Sequence, residues 1–167
     1  MSRSACAPLR RQAQADMCPE MLSDFEYPIG LRWSCIRCTA SCRDVPYHKR
    51  NILLTKRDVD RIMKVTGQDQ SKFSMLVANM SPYERRMKMT RGRCVFLEGL
   101  GCSIYHVRPL ICKLYPFSLT PSERGGFSMT FDPGCSGIGK GAERKRGFFM
   151  SLACHAIREL RLTQEQR

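Results

Sequence analysis

Apolar residues recur at helical spacing in some stretches of this chain and cluster briefly in others, a pattern that predicts short mixed elements rather than one long repeat. NILLT, from Asn51, reads as a short strand. Thr55 follows as a helix N-cap with Asp58 completing a capping box three residues on, and Val59, Ile62, Met63 and Thr66 line one face until Gly67 ends the helix. Ser71 can cap a second helix, in which Phe73, Leu76, Val77 and Met80 recur at i, i+3, i+4 and i+7. Met63, Met75 and Met80 read as flexible core fillers rather than thioether ligands.

The middle of the chain changes character. RRMKM and RCVFL flank Thr90, Arg91 and Gly92 as a hairpin, and a second turn at Glu98 to Gly101 puts Cys94 on one side and Cys102 on the other. Pro109 can open a short helix carrying Leu110, Ile111 and Cys112, which Pro116 closes. FSMTF from Phe127 is a strand candidate. A final helix is expected from Ala142 to about Leu162, with Phe149, Leu152, Ala153, Ala156, Ile157 and Leu160 as its apolar stripe and Cys154 at the edge as a small buried hydrophobe.

At 167 residues, 43% of them hydrophobic, the chain can bury one ordinary core. The predicted fold class is therefore α+β, a small irregular single domain of short helices and hairpins organised around a cysteine metal centre. Residues 1–30 are expected as a loosely ordered arm, 31–141 as the cysteine-cluster domain, and 142–167 as a C-terminal helix packed on the core with frayed last residues. No run approaches the roughly 18 apolar residues of a membrane span, and the N-terminus lacks the apolar stretch of a signal peptide. A cytoplasmic protein with no membrane partner is the expectation, and ten cysteines in that setting are expected as thiols rather than a disulfide scaffold.

Those cysteines carry the chemistry. CIRCTASC places Cys35, Cys38 and Cys42 on one local turn, and Cys94, Cys102, Cys112 and Cys135 follow. Three thiolates from one element form a chelate that needs a fourth donor from elsewhere, and any of the later four can supply it. Seven thiols exceed one tetrahedral site, so one site or two remain open, as do zinc and an iron–sulfur cluster, of which the four-iron type is favoured here. The run reverses the spacing order of radical SAM enzymes, and the chain is too short for their barrel. Cys6 and Cys18 lie in the arm, away from the cluster, and read as bystanders. His106 reads as a surface or packing histidine. Arg108, between Cys102 and Cys112, is a candidate cofactor-binding cation that offsets thiolate charge or meets an acidic substrate.

The net charge of +13 attracts polyanions, with basic residues grouped at Lys49 to Lys64, at Arg85 to Arg93 and at Lys140 to Arg146. No recognition motif accompanies them, so nucleic-acid contact is expected to be unspecific. GCSGIGKG, Gly134 to Gly141, nearly matches a phosphate-binding loop, but Gly141 stands where a Ser or Thr would hold magnesium. A glycine turn that lets Cys135 reach the metal is the better account.

CIRCTASC, NILLTKRDVDRI, CVFLEGLGCSIYHVRPLICKLYPF and CSGIGKG together resemble the cysteine-cluster proteins of the YkgJ type, a zinc- or iron-chelating family often labelled iron–sulfur oxidoreductases. The resemblance runs from about Cys35 to Gly141. The family commonly ends its first cluster with a Cys-Cys pair, whereas Arg43 follows Cys42 here. Its relatives include a flagellin lysine methylase, so the resemblance implies redox or protein-modification chemistry on a protein or small-molecule substrate that the sequence does not name. The rival expectation is a non-enzymatic structural-metal module whose basic surface binds nucleic acid or an acidic protein.

Overall fold

The computed structural model describes residues 18, 21–46 and 48–160. Cys6 lies outside them. No helix among the described residues is long and apolar enough to cross a membrane. The mixed α+β class is as expected: short helices alternate with small antiparallel sheets, and no barrel forms among the described residues.

Backbone packing separates two compact units. The larger comprises Leu31–Phe117 and Phe131–Glu143. In it β1 (Arg32–Trp33) leads to the cysteine loop, and β2 (Leu53–Leu54) to helix α1 (Lys56–Thr66). Thr55 and Asp58 form the expected reciprocal capping box, and Gly67, at φ +68°, ends the helix in the left-handed conformation that suits glycine. Val59 and Ile62 face a core shared with Ile52, Leu54, Phe73, Met87, Phe96 and Ile104.

The second predicted helix is cut short. Only α2 (Gln70–Phe73) is helical, and its cap is Asp69, whose carboxylate accepts from the Ser71 N–H at 2.8 Å. Ser74–Leu76 instead form β3, paired antiparallel with β4 (Arg85–Met87), which pairs on its other side with β2. The Ser74 hydroxyl donates to the Gln70 carbonyl and accepts from Arg85 Nε at 2.7 Å, fixing the change from helix to strand. Leu76 is 75% exposed, so the apolar spacing marked no buried stripe.

The hairpins fall as read: β5 (Met89–Thr90) with β6 (Arg93–Cys94), then β7 (Leu97–Glu98) with β8 (Gly101–Cys102). Helix α3 (Leu110–Leu114) follows Pro109. The glycine segment begins as the expected turn, and a strand rather than the helix of a phosphate loop follows it. Ile138–Glu143 form β11, antiparallel to β1. A Cβ on Gly137 would collide with the Ser34 carbonyl, and one on Gly141, at φ +72°, would lie 2.7 Å from the Ser34 Cβ. These glycines let β11 close on the strand that feeds Cys35.

The smaller unit comprises the described residues of Met1–Gly30, Ser118–Thr130 and Arg144–Arg167. Strands β9 (Phe117–Pro121) and β10 (Phe127–Phe131) pair there, and Glu26 bonds to the backbone of β10 through Phe127 and Met129. Helix α4 (Arg146–Leu160) starts four residues later than expected, because 142–143 belong to β11. It buries Phe149, Ala153, Ala156 and Ile157. The expected roles of two cysteines need correction: Cys18 and Cys154 are joined by a disulfide across 136 residues. Cys154 is thus no simple apolar filler, and Cys18 is a covalent anchor. Neither carries a local motif, and a pairing between residues so distant in sequence leaves no signal in spacing.

Candidate metal centre

Seven cysteines are free thiols among the described residues, and five of them, Cys35, Cys42, Cys94, Cys102 and Cys112, line one cavity of about 150 Å³ in the larger unit. Trp33, Tyr105, Arg108 and Tyr115 complete much of its wall. Cys42 ends a 3-10 turn, Ala40–Cys42, entered through Arg37 and Thr39 at φ +53° and +60°. Those left-handed residues bend the loop tightly and direct Cys42 against the core. Cys94 comes from β6, Cys102 from β8 and Cys112 from α3, so four separate elements deliver the inner thiols.

Burial raises the Cys94 thiol to about 11, opposed by a hydrogen bond from the Phe96 amide. Cys102 is raised by burial and opposed by the Ile104 amide, with the Arg108 guanidinium giving a smaller downward pull. Burial pushes Cys112 well above the ordinary thiol value, and Cys42, Cys94, Cys102 and Asp58 add to the shift. The four inner thiols thus feel one another electrostatically, and two of them already accept amide hydrogen bonds of the kind that stabilise metal-bound thiolates.

Cys38 is half-buried on the same loop and does not line the cavity. Cys135 is buried outside the cavity lining, near enough to the Tyr115 hydroxyl to act on it electrostatically. His106 is exposed. Arg108 lies on the cavity wall: its Nη1 donates to the Tyr105 carbonyl at 2.8 Å, and its guanidinium stacks 4.0 Å from the Tyr105 ring centroid.

The donor set suits a thiophilic metal. Among the described residues no three His, Cys, Asp or Glu side chains stand close enough to hold a single ion. Several thiolates around one cavity suit zinc and an iron–sulfur cluster alike.

Several residues around the site were not singled out as site residues by the sequence. Trp33 and Tyr115 line the cavity, and Arg50 reaches Tyr115, although in sequence Arg50 is one basic residue in a basic stretch. Asp58 was legible as a capping residue and not as an anchor of α3.

Comparison with known proteins adds a family and a distant relative. The family model CxxCxxCC, described as "Putative zinc- or iron-chelating domain", matches residues 34–136. An uncharacterized protein of Methanocaldococcus jannaschii is 32% identical over 111 residues, which cover 64% of this chain and 56% of the relative. The chain therefore spans little more than half the length of the curated relative it matches. No solved structure matches.

Proposed function

The chain belongs to the CxxCxxCC family of zinc- or iron-chelating domains, and on that premise we propose that its thiol cavity carries an iron–sulfur cluster of the four-iron type. Cys42, Cys94, Cys102 and Cys112 are its principal ligands, with Cys35 on the same wall. Cys38 and Cys135 are the reserve donors. The observation that carries this reading is the gathering of five thiols around one cavity of about 150 Å³, more sulfurs than one tetrahedral zinc takes. Such a centre would supply electron transfer or activation of a bound group, which supports a role in redox or protein-modification chemistry.

This chain's own residues have separable parts in that function. Burial keeps the Cys94 thiol from bulk water, and Cys42, Cys102 and Cys112 are half-buried beside it. The Phe96 and Ile104 amides stabilise negative sulfur, and Arg108 opposes the net negative charge of a four-thiolate centre. Tyr105, 49% exposed, and Arg108 line the cavity and offer a cationic, aromatic surface to an acidic substrate or partner.

A second reading rests on charge. Even after four thiolates offset part of it, the net +13 leaves a basic protein, and Lys49 and Arg86 line a separate cavity of about 390 Å³. In that reading the metal is zinc, its role is structural, and the basic surface binds nucleic acid or an acidic protein. Iron, zinc and acid-labile sulfide measured in protein purified without air separate the two. Iron and sulfide in equal amounts support the cluster, and stoichiometric zinc without sulfide supports the structural module.

A further inference from the structure

We propose that Arg50 is a positioning residue that holds two cysteine-bearing segments of the thiol cavity, the Cys42 turn and the Cys112 helix, in register and ties the neighbouring Cys135 turn to them. This rests on the cavity being the metal centre. The Arg50 side chain is only 13% exposed, an unusual state for a residue of a basic surface stretch. Its Nε donates to the Ala40 carbonyl at 2.9 Å, at the start of the turn that ends in Cys42. Its Nη2 donates to the Tyr115 hydroxyl at 3.0 Å, and the guanidinium carbon lies 4.7 Å from the Tyr115 ring centroid. Tyr115 caps the C-terminus of α3, three residues after Cys112, and lines the cavity itself.

The third segment is reached through Asp132. The Tyr115 hydroxyl donates to Asp132 Oδ2 at 3.1 Å, and Arg50 Nη2 lies 3.7 Å from the same oxygen. The Asp132 carbonyl in turn accepts from the Cys135 N–H at 3.2 Å, and its other carboxylate oxygen accepts from Gly134 N–H at 2.8 Å. Arg50 is itself fixed from behind, because its backbone N–H donates to Asp44 Oδ1 at 2.7 Å. One guanidinium thus connects the Cys42 turn, the Cys112 helix and the Cys135 turn.

The chemistry requires arginine. A planar fork with several fixed donors can bond a carbonyl and a hydroxyl at once while keeping its charge beside Asp132, whereas a lysine ammonium on a flexible stem cannot span both directions. Residues that orient metal ligands from outside the coordination shell typically change affinity by about 10- to 100-fold when altered.

Arg50→Lys and Tyr115→Phe test this in the full chain by two measurements. The first is metal loss from the purified protein to a chelator; the second is alkylation of each cysteine in metal-free protein, followed by peptide mass spectrometry. With melting temperature close to that of the parent, Arg50→Lys should lose metal about 10- to 100-fold faster. Cys42 and Cys112 should be alkylated several-fold faster while Cys94, on its own hairpin, keeps the parental rate. Tyr115→Phe, which removes one hydroxyl, should move the same two cysteines by less. Parental metal retention and parental alkylation of Cys42 and Cys112 in both variants would overturn the proposal. A parent protein that holds no metal would defeat the cluster reading instead, and the alkylation comparison would still decide the role of Arg50. If Arg50→Lys does not fold, Tyr115→Phe carries the test alone.

Discussion

The Asp58 carboxylate accepts a hydrogen bond from the Leu110 backbone N–H at 3.1 Å, joining residues 52 positions apart. Asp58 is fully buried, closes the capping box with Thr55 and pairs with Arg61. One side chain therefore both starts α1 and anchors the first turn of α3, which carries Cys112 two residues on.

Removing that carboxylate strands several buried donors at once. Asp58→Ala should cost about 3–5 kcal/mol in urea unfolding and lower metal retention with it. Asp58→Asn keeps the size and one acceptor oxygen and should lose less. An alanine variant within about 1 kcal/mol of the parent would show that α3 is held by its apolar contacts alone.

Metal loading should release protons. Burial holds Cys94 up to about 11 and keeps Cys102 and Cys112 raised, so these groups are neutral thiols at pH 7 in the metal-free protein. Binding as thiolates frees about one proton from each, so occupancy rises with pH and falls in acid. Calorimetric titration in two buffers of different ionisation enthalpy reads the count, and a count of zero would contradict thiolate ligation by these residues. The metal-free fold has its own alkaline limit. Cys94 stays protonated in the native state from its ordinary 9.0 to about 11, so its share of stability is intact below that window and lost as pH rises through it. The loss is about 2–3 kcal/mol.

The Cys18–Cys154 bridge closes a span of 136 residues in the smaller unit. Replacing both cysteines with serine should destabilise the protein by about 2–4 kcal/mol through freedom gained by the unfolded chain. Metal content should stay at the parental level, because neither residue lines the thiol cavity. Melting with and without reductant, alongside metal analysis, checks both halves, and loss of metal in the double variant would tie the disulfide to the site.

The parts of the molecule legible in the sequence were those written in local chemistry. Thr55 with Asp58 and Gly67 fixed α1 from both ends, Thr90-Arg91-Gly92 marked a hairpin, and the cysteine spacing announced a thiol site before any fold was known. Ser71 misled because the same apolar spacing serves a four-residue helix followed by a strand, and the sheet edge offered by β4 decided between them. The glycines of 134–141 read as a turn serving Cys135, and the sequence held no sign that Gly137 and Gly141 answer to Ser34, about a hundred residues away. Arg50 was hidden for the same reason. Its partners Ala40, Tyr115 and Asp132 become neighbours only in the folded chain, so composition could register its charge and not its burial.

The central claim is that the thiol cavity is the metal centre, and metal content across a series of serine substitutions tests it most directly. Cys42→Ser, Cys94→Ser, Cys102→Ser and Cys112→Ser, each purified without air, should hold roughly tenfold less metal and melt at lower temperature together, because site formation and folding are coupled. Cys6→Ser should match the parent, whose absorption should include a broad band near about 400 nm. Parental metal content and melting in all four cavity variants would contradict the account and return these thiols to the core.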